Sequence, residues 1–215
     1  HYYKVFHHCL NSAVIDEIIT SNPMDKIKNE EKPKRRRTER AFLTIDELKI
    51  LSQTDFHNAT LKKAFLFSCF CGLRHSDIVA LTWGNLKKGK VGKMELHMTQ
   101  QKTQEILSLP LSKEALKQLP VRGKVPDTEK VFKGLISLGR TNEILPKWAA
   151  KAGIQKHITF HSARHTHATM MITLGADLYT VSKLLGHTNI QTTQIYAKIV
   201  DESKEKAIDL IPDIT

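Results

Sequence analysis

Four stretches of this chain carry side chains suited to holding an anion and moving a proton. His161-Ser162-Ala163-Arg164 sets an imidazole and a guanidinium three positions apart, neighbours on one face of a helix. Leu184-Leu185-Gly186-His187 places a second imidazole just past a glycine, and Tyr196 follows nine residues later. Far upstream, Cys71-Gly72-Leu73-Arg74-His75-Ser76-Asp77 puts Arg74 between two helices. Forked guanidinium donors match phosphate oxygens and keep their charge. Histidine titrates close enough to neutrality to pass protons or donate hydrogen bonds. Each piece alone has a plainer reading. An arginine after a helix-ending glycine is usually a surface residue, and an isolated tyrosine more often edges the core. Leu178, Val181, Leu184 and Leu185 are plain core, and they fix the helix whose end presents His187.

Two other chemistries fail on their own spacing. Gly84-Asn85-Leu86-Lys87-Lys88-Gly89-Lys90 has the spacing of a phosphate-binding P-loop, but Val91 stands where Ser or Thr would ligate magnesium. The segment also joins a helix to a strand, the reverse of the P-loop order. His161 and His165, four apart, share a helix face as a zinc pair would, with His167 close by. No Glu follows His161, and no Cys or carboxylate cluster supplies the remaining ligands. Neither a metal nor any other cofactor is expected.

The surroundings favour a polyanionic partner. In 215 residues, 33 Lys and Arg face 22 Asp and Glu, a formal charge of +11. With 40% apolar residues the chain can bury a core, and it has no apolar run long enough for a membrane span. No basic-then-apolar leader opens it, and His1 in place of Met suggests a piece of something longer. Cys69 and Cys71 lie in an apolar run and read as buried thiols of a reducing compartment, leaving Cys9 apart from them.

The elements that must position these residues are mostly helical. An apolar stripe predicts a helix from residue 2 to about 20, closing at Asn22-Pro23. Residues 28–40, KNEEKPKRRRTER, cannot bury themselves and read as a basic linker laid along phosphates through Lys34, Arg35, Arg36, Arg37 and Arg40. Thr44 and Glu47 form a capping box. A helix apolar nearly all round follows over 58–71, ended by Gly72, then a short one from Ser76 to Trp83. Met94 to Met98 and Glu105 to Leu109 predict strands of a small antiparallel sheet. Further helices are expected at about 112–119, 141–152, 161–174, 177–186, 189–196 and 202–211, with a second capping box at Thr188 and Gln191. The fold class is mainly α with a small antiparallel sheet, α+β.

In this order, Arg74, Lys102, His161-x-x-Arg164, His187 and Tyr196 resemble the catalytic set of the tyrosine recombinases, the phage-integrase family. Four motifs carry the resemblance over residues 40 to 200: GLRHSDIVALTW, the QQKT strand turn, HSARHTHAT and LLGHTNIQTTQIYAK. Residues 1–27 are similar to the last helix of the family's preceding core-binding domain, which would leave 28–40 as the linker and 41–215 as the catalytic domain. Asp77 stands where many members carry Glu.

The resemblance implies a site-specific recombinase of double-stranded DNA that works through a covalent 3′-phosphotyrosyl intermediate. Tyr196 would be the nucleophile; Tyr179 lies inside an amphipathic helix, away from the motif. A phenolic ester keeps the phosphate linkage at similar energy, so religation needs no ATP. Arg74 and Arg164 would clamp the non-bridging oxygens, His161 would be the general base, His187 a phosphate hydrogen-bond donor, and Lys102 the acid for the leaving oxygen. Lys90, Lys93 and Lys113 are alternatives to Lys102. Asp77 would orient Arg74 or a histidine. Activity in EDTA is expected, as is a homotetramer on paired DNA sites, monomeric without DNA. The protein would act in the cytoplasm at the nucleoid, with no membrane involved, in integration or excision of a mobile element. Chromosome-dimer resolution or DNA inversion would use the same chemistry. A non-enzymatic helix-turn-helix regulator, built on 161–174 and 177–186, explains the charge but leaves the histidines, arginines and tyrosine as coincidence.

Overall fold

The computed structural model describes residues 2–33, 40–89 and 92–196, and the chain divides into two units, His1–Glu39 and Arg40–Thr215. In the first unit, helix α1 (Tyr2–Ile15) stops earlier than its apolar stripe predicts. Glu17 takes a left-handed φ of 57°; its N–H bonds to Val14 O, and the Ile18 N–H reaches back to Ala13 O. These two bonds satisfy the last free carbonyls and terminate the helix. Asn22 then caps a 3-10 turn, Pro23–Lys26. Its Oδ1 accepts from Met24 N while its Nδ2 donates to His7 O and, at 2.6 Å, to Asn11 Oδ1. Lys34, Arg35, Arg36 and Arg37 lie outside the described residues.

The second unit is built around α3 (Ala59–Cys71), whose Leu61, Ala64 and Phe65 through Cys69 are all buried. A helix apolar nearly all round must be enclosed, and α3 packs against both α5 (Lys113–Lys117) and α7 (Phe160–Thr173). Phe65 meets Trp148 and Phe160 edge-on, and Phe56 stacks on Trp148. Upstream, α2 (Ile45–Gln53) opens with both bonds of the Thr44–Glu47 capping box. The next helix, α4, covers His75–Ala80 rather than running to Trp83; Trp83–Asn85 is a separate 3-10 turn whose entrance Asn85 secures by accepting from Thr82.

Three strands form the sheet, β1 (Leu86–Lys88), β2 (Met94–Thr99) and β3 (Ile106–Pro110), antiparallel in the order β1-β2-β3. The register sets Leu86 opposite Leu96 and Leu96 opposite Leu109, so one face is a leucine row turned to the core. Three residues of β1 are too few to show an alternation, which is why the sequence pattern announced two strands. Helix α6 (Leu138–Lys151) starts earlier than expected because Ser137 caps it at Arg140 N. It packs on α7, which also carries α8 (Leu178–Leu185).

The helix expected at 189–196 does not form. Asn189, not Thr188, supplies the cap by accepting from Gln191 N, and two 3-10 turns follow, Ile190–Thr192 and Gln194–Tyr196. The tail helix expected at 202–211 lies outside the described residues. Among the described residues no helix is long and apolar enough to cross a membrane.

Candidate active site

Gly72, at the end of α3, brings three elements close together. Its φ is +73°, and an added Cβ would sit 2.8 Å from Leu185 Cδ2 and 2.9 Å from His167 Cδ2. Only glycine fits that approach. Two residues on, Arg74 starts α4. Fully buried Asp77 accepts from the Arg74 N–H through Oδ2, which also stands 3.9 Å from Arg74 Nη1. The second Asp77 oxygen accepts from Gln101 N at 2.8 Å, in the β2–β3 turn. One carboxylate therefore fixes Arg74 against the turn that carries Lys102. Arg74 Nη1 is buried and has no hydrogen-bond partner among the described residues. A buried cationic donor of this kind is costly unless an anion meets it.

Arg164 projects from α7 into the same region and is itself buried. Its Nη1 donates to Gly72 O and its Nη2 to Leu185 O, both at 2.7 Å. Burial first, and then Arg74, push it down to about 10, so it remains charged at neutral pH. Leu185 O has a second donor, Nε2 of fully buried Gln100 at 3.2 Å. Gln100 in turn accepts from Thr103 Oγ1 and stands where a Cβ on Gly186 would fall, 2.8 Å from Oε1. Gly186, at φ +63°, ends α8 and delivers His187, whose Nδ1 meets the Thr193 hydroxyl at 2.8 Å.

Tyr196 is only 5% exposed, and its hydroxyl lies 2.6 Å from His165 Nδ1. Burial raises the phenol to about 12, against the pull of Arg164 and Arg40. Burial also lowers His165 to about 3, aided by His161, Arg40, Arg164 and His187. His161 packs edge-on against His165 with ring centroids 4.6 Å apart. Partial loss of water, then Arg164, Arg40, Arg74 and Lys102, hold His161 at about 4 although the residue is exposed. Loss of water, followed by the two arginines, does the same for His187. Three neutral imidazoles thus stand among four cations, an arrangement that favours an anion. Among the described residues no group of three or more His, Cys, Asp or Glu is placed to hold a metal ion.

The structure brings together Arg74, Asp77, His161, Arg164, His187 and Tyr196, with Lys102 and Arg40 near enough to act on the His161 charge. Sequence reasoning missed two residues. His165 entered only as half of a rejected zinc pair, yet its four-residue spacing from His161 was the signal that both face one way. Gln100 was read as part of a turn motif, and no pattern marks a glutamine as buried. Tyr179 is 60% exposed and lies under Lys183, away from this cluster.

A family model described as the phage integrase family matches residues 41–203. A tyrosine recombinase of Pseudothermotoga lettingae is 30% identical over 203 residues, covering 93% of this chain and 69% of that protein. A tyrosine recombinase XerC of Caldanaerobacter subterraneus subsp. tengcongensis is 30% identical over 207 residues, covering 91% and 57%. Among solved structures, a lambda integrase dimer bound to a COC′ core site superposes with a TM-score of 0.70 at 21% identity, covering 90% of this chain and 70% of that one. The Tn1549 transposon integrase in complex with circular intermediate DNA gives 0.65 at 18%, covering 88% and 71%. The fold is theirs, and residues 41–203 make this chain a member of the phage integrase family, carrying the catalytic domain of a tyrosine recombinase.

Proposed function

We propose that this chain cleaves and rejoins DNA at specific sites by transesterification, with the roles divided as follows. Arg74 and Arg164 hold the non-bridging oxygens of one backbone phosphate. The Tyr196 oxygen attacks phosphorus, forming a 3′-phosphotyrosyl bond and releasing a 5′ hydroxyl. Lys102 gives its proton to that leaving oxygen, and His161 and His187 supply hydrogen bonds and proton handling around the phosphate. Asp77 keeps Arg74 and the Lys102 turn in register. The observation that carries this reading is convergence: a buried arginine donor with no hydrogen-bond partner among the described residues, a second arginine anchored by two carbonyls, and a buried phenol share one cationic cluster. Fixed donors aimed at developing charge are the largest single source of rate in such reactions.

A nicked suicide duplex, in which the released strand end diffuses away, tests this directly. Wild-type protein should accumulate a covalent adduct, in EDTA as well, and Tyr196→Phe should form none. An adduct persisting in Tyr196→Phe removes Tyr196 as nucleophile.

The task we assign is integration or excision of a mobile element by a homotetramer on paired duplexes, in the cytoplasm at the nucleoid. Structural likeness to a transposon integrase and to lambda integrase supports it. Relatives named XerC favour a second reading, chromosome-dimer resolution. Recombination on element ends but not on a chromosomal resolution site supports the first; the opposite preference establishes the second. Lys34 to Arg37 and Arg40 are proposed DNA contacts. Replacing Arg35, Arg36 and Arg37 together should weaken binding to all sequences and lower its salt slope, by about 0.9 for each phosphate that these side chains neutralise.

A further inference from the structure

We infer that His165 is a catalytic residue that receives the phenolic proton of Tyr196 as the nucleophile attacks. This rests on the reading of Tyr196 as nucleophile and departs from the assignment of that proton to His161. Among the described residues, the Tyr196 hydroxyl has one hydrogen-bond partner, the His165 ring, and both residues are about 95% buried. His161 touches His165 edge to face and forms no bond to the tyrosine.

The direction of the proton follows from the inventory of donors. A buried phenol O–H needs an acceptor, and Nδ1 of His165 is the one in reach, 2.6 Å away. Nδ1 therefore offers its lone pair and Nε2 carries the hydrogen. The groups that bring positive charge to this ring from α7, the 187 turn and the start of the unit are His161 and His187 when charged, Arg40 and Arg164. Burial first, and then these groups, keep it unprotonated and ready to accept. A ring held neutral by burial and by cations is a weak base while DNA is absent. A phosphate clamped by Arg74 and Arg164 brings negative charge that grows as the fifth oxygen arrives, and that charge offsets the repulsion an imidazolium would feel.

The step balances. The Oη–P bond forms and the P–O5′ bond breaks; the phenolic proton moves to His165 Nδ1, and a separate proton passes from the Lys102 ammonium to O5′. Religation runs the same transfers backwards, the imidazolium returning its proton to the departing phenol.

The test is single-turnover adduct formation on a nicked suicide duplex under saturating protein, comparing the whole wild-type chain with His165→Asn and His165→Ala. Asparagine offers an oxygen near the place of Nδ1 and can hold the hydroxyl, but it cannot take the proton. Both variants should bind the duplex as tightly as wild type and form adduct about 10²–10⁴-fold more slowly. A 2,3-difluorotyrosine at position 196, whose phenol gives up its proton more easily, should recover much of that loss in His165→Asn. A wild-type rate in His165→Asn, or a faster one, overturns the inference, and so does a slow rate that fluorination leaves unchanged. Absence of any wild-type adduct overturns the reading of Tyr196 instead. Should neither variant melt cooperatively, His161→Asn, which lacks the rival acceptor, decides on a substrate with sulfur in the 5′ bridging position, where the leaving group needs no proton. A normal solvent deuterium effect remaining on that reaction supports transfer of the phenolic proton, and its absence overturns it.

Discussion

Arg164 and Gln100 donate to the same backbone oxygen, that of Leu185, at 2.7 and 3.2 Å. The end of α8, the β2–β3 turn and the α7 arginine are thereby locked to one point. Gln100→Leu removes one donor and leaves the Thr103 hydroxyl without its acceptor, while Arg164 still satisfies Leu185 O. Stability should fall by about 1–3 kcal/mol, read from urea denaturation at neutral pH. Adduct formation should slow as the Lys102 turn loosens, and substrate with a 5′ bridging sulfur should remove most of that defect. A variant slowed equally on both substrates would show that Gln100 serves the phosphate clamp rather than the turn.

Lys102 is exposed in the turn, held from one side by the Gln100 side chain and from the other by Asp77 through Gln101 N. Losing a general acid costs about 10²–10⁴-fold. Lys102→Ala should show that loss on ordinary DNA and recover with the sulfur leaving group. Lys93→Ala and Lys113→Ala should cleave at wild-type rate, since Lys93 precedes β2 and Lys113 begins α5. A Lys93 or Lys113 variant with the sulfur-rescued defect would move the acid to that residue.

The sequence was informative where one residue type answers a local demand. Thr44 with Glu47, Gly72 and Gly186 each satisfy free backbone groups or a left-handed turn, and a pattern of residue types can show that. It was less informative where tertiary bonds decide. Residues 189–196 follow a capping-box signal at Thr188 and Gln191, but Thr193 is fully buried and spends its hydroxyl on His187, and Tyr196 is drawn inward to His165; the chain takes two short turns to meet both. The His165–Tyr196 bond joins residues 31 apart, and the Arg164–Gly72 bond residues 92 apart. Motif order foretold that such residues belong together, while the partner of each atom depended on how the helices pack.

Arg164 and Arg74 should differ when changed to lysine. A lysine at 164 cannot reach Gly72 O and Leu185 O together in the geometry of a planar fork. Arg164→Lys should therefore lower the melting temperature as well as the cleavage rate. Arg74 is tied to Asp77 mainly through its backbone N–H, which lysine keeps. Arg74→Lys should cost about 10²–10³ in rate with little change in melting. Equal melting temperatures for the two variants would contradict the structural anchoring of Arg164.

The histidines make stability depend on pH in a stated direction. Burial holds His165 at about 3 and His167 at about 4, against an ordinary value of 6.5. Both are neutral in the fold where the unfolded chain is charged. The unfolded state then binds more protons between about pH 6.5 and 4, so their contribution is intact above 6.5 and is lost as pH falls through that window. Each such group contributes about 1.4 kcal/mol for every pH unit crossed. His167 is the cleaner probe, because it stands apart from Tyr196: Nδ1 donates to Cys69 O at 3.2 Å and buried Nε2 has no partner among the described residues. Unfolding free energies of wild type and His167→Gln, measured in urea at pH 7, 6 and 5, should converge on acidification, the variant's curve being flatter by close to one proton. Parallel curves would mean that His167 takes up no proton on unfolding.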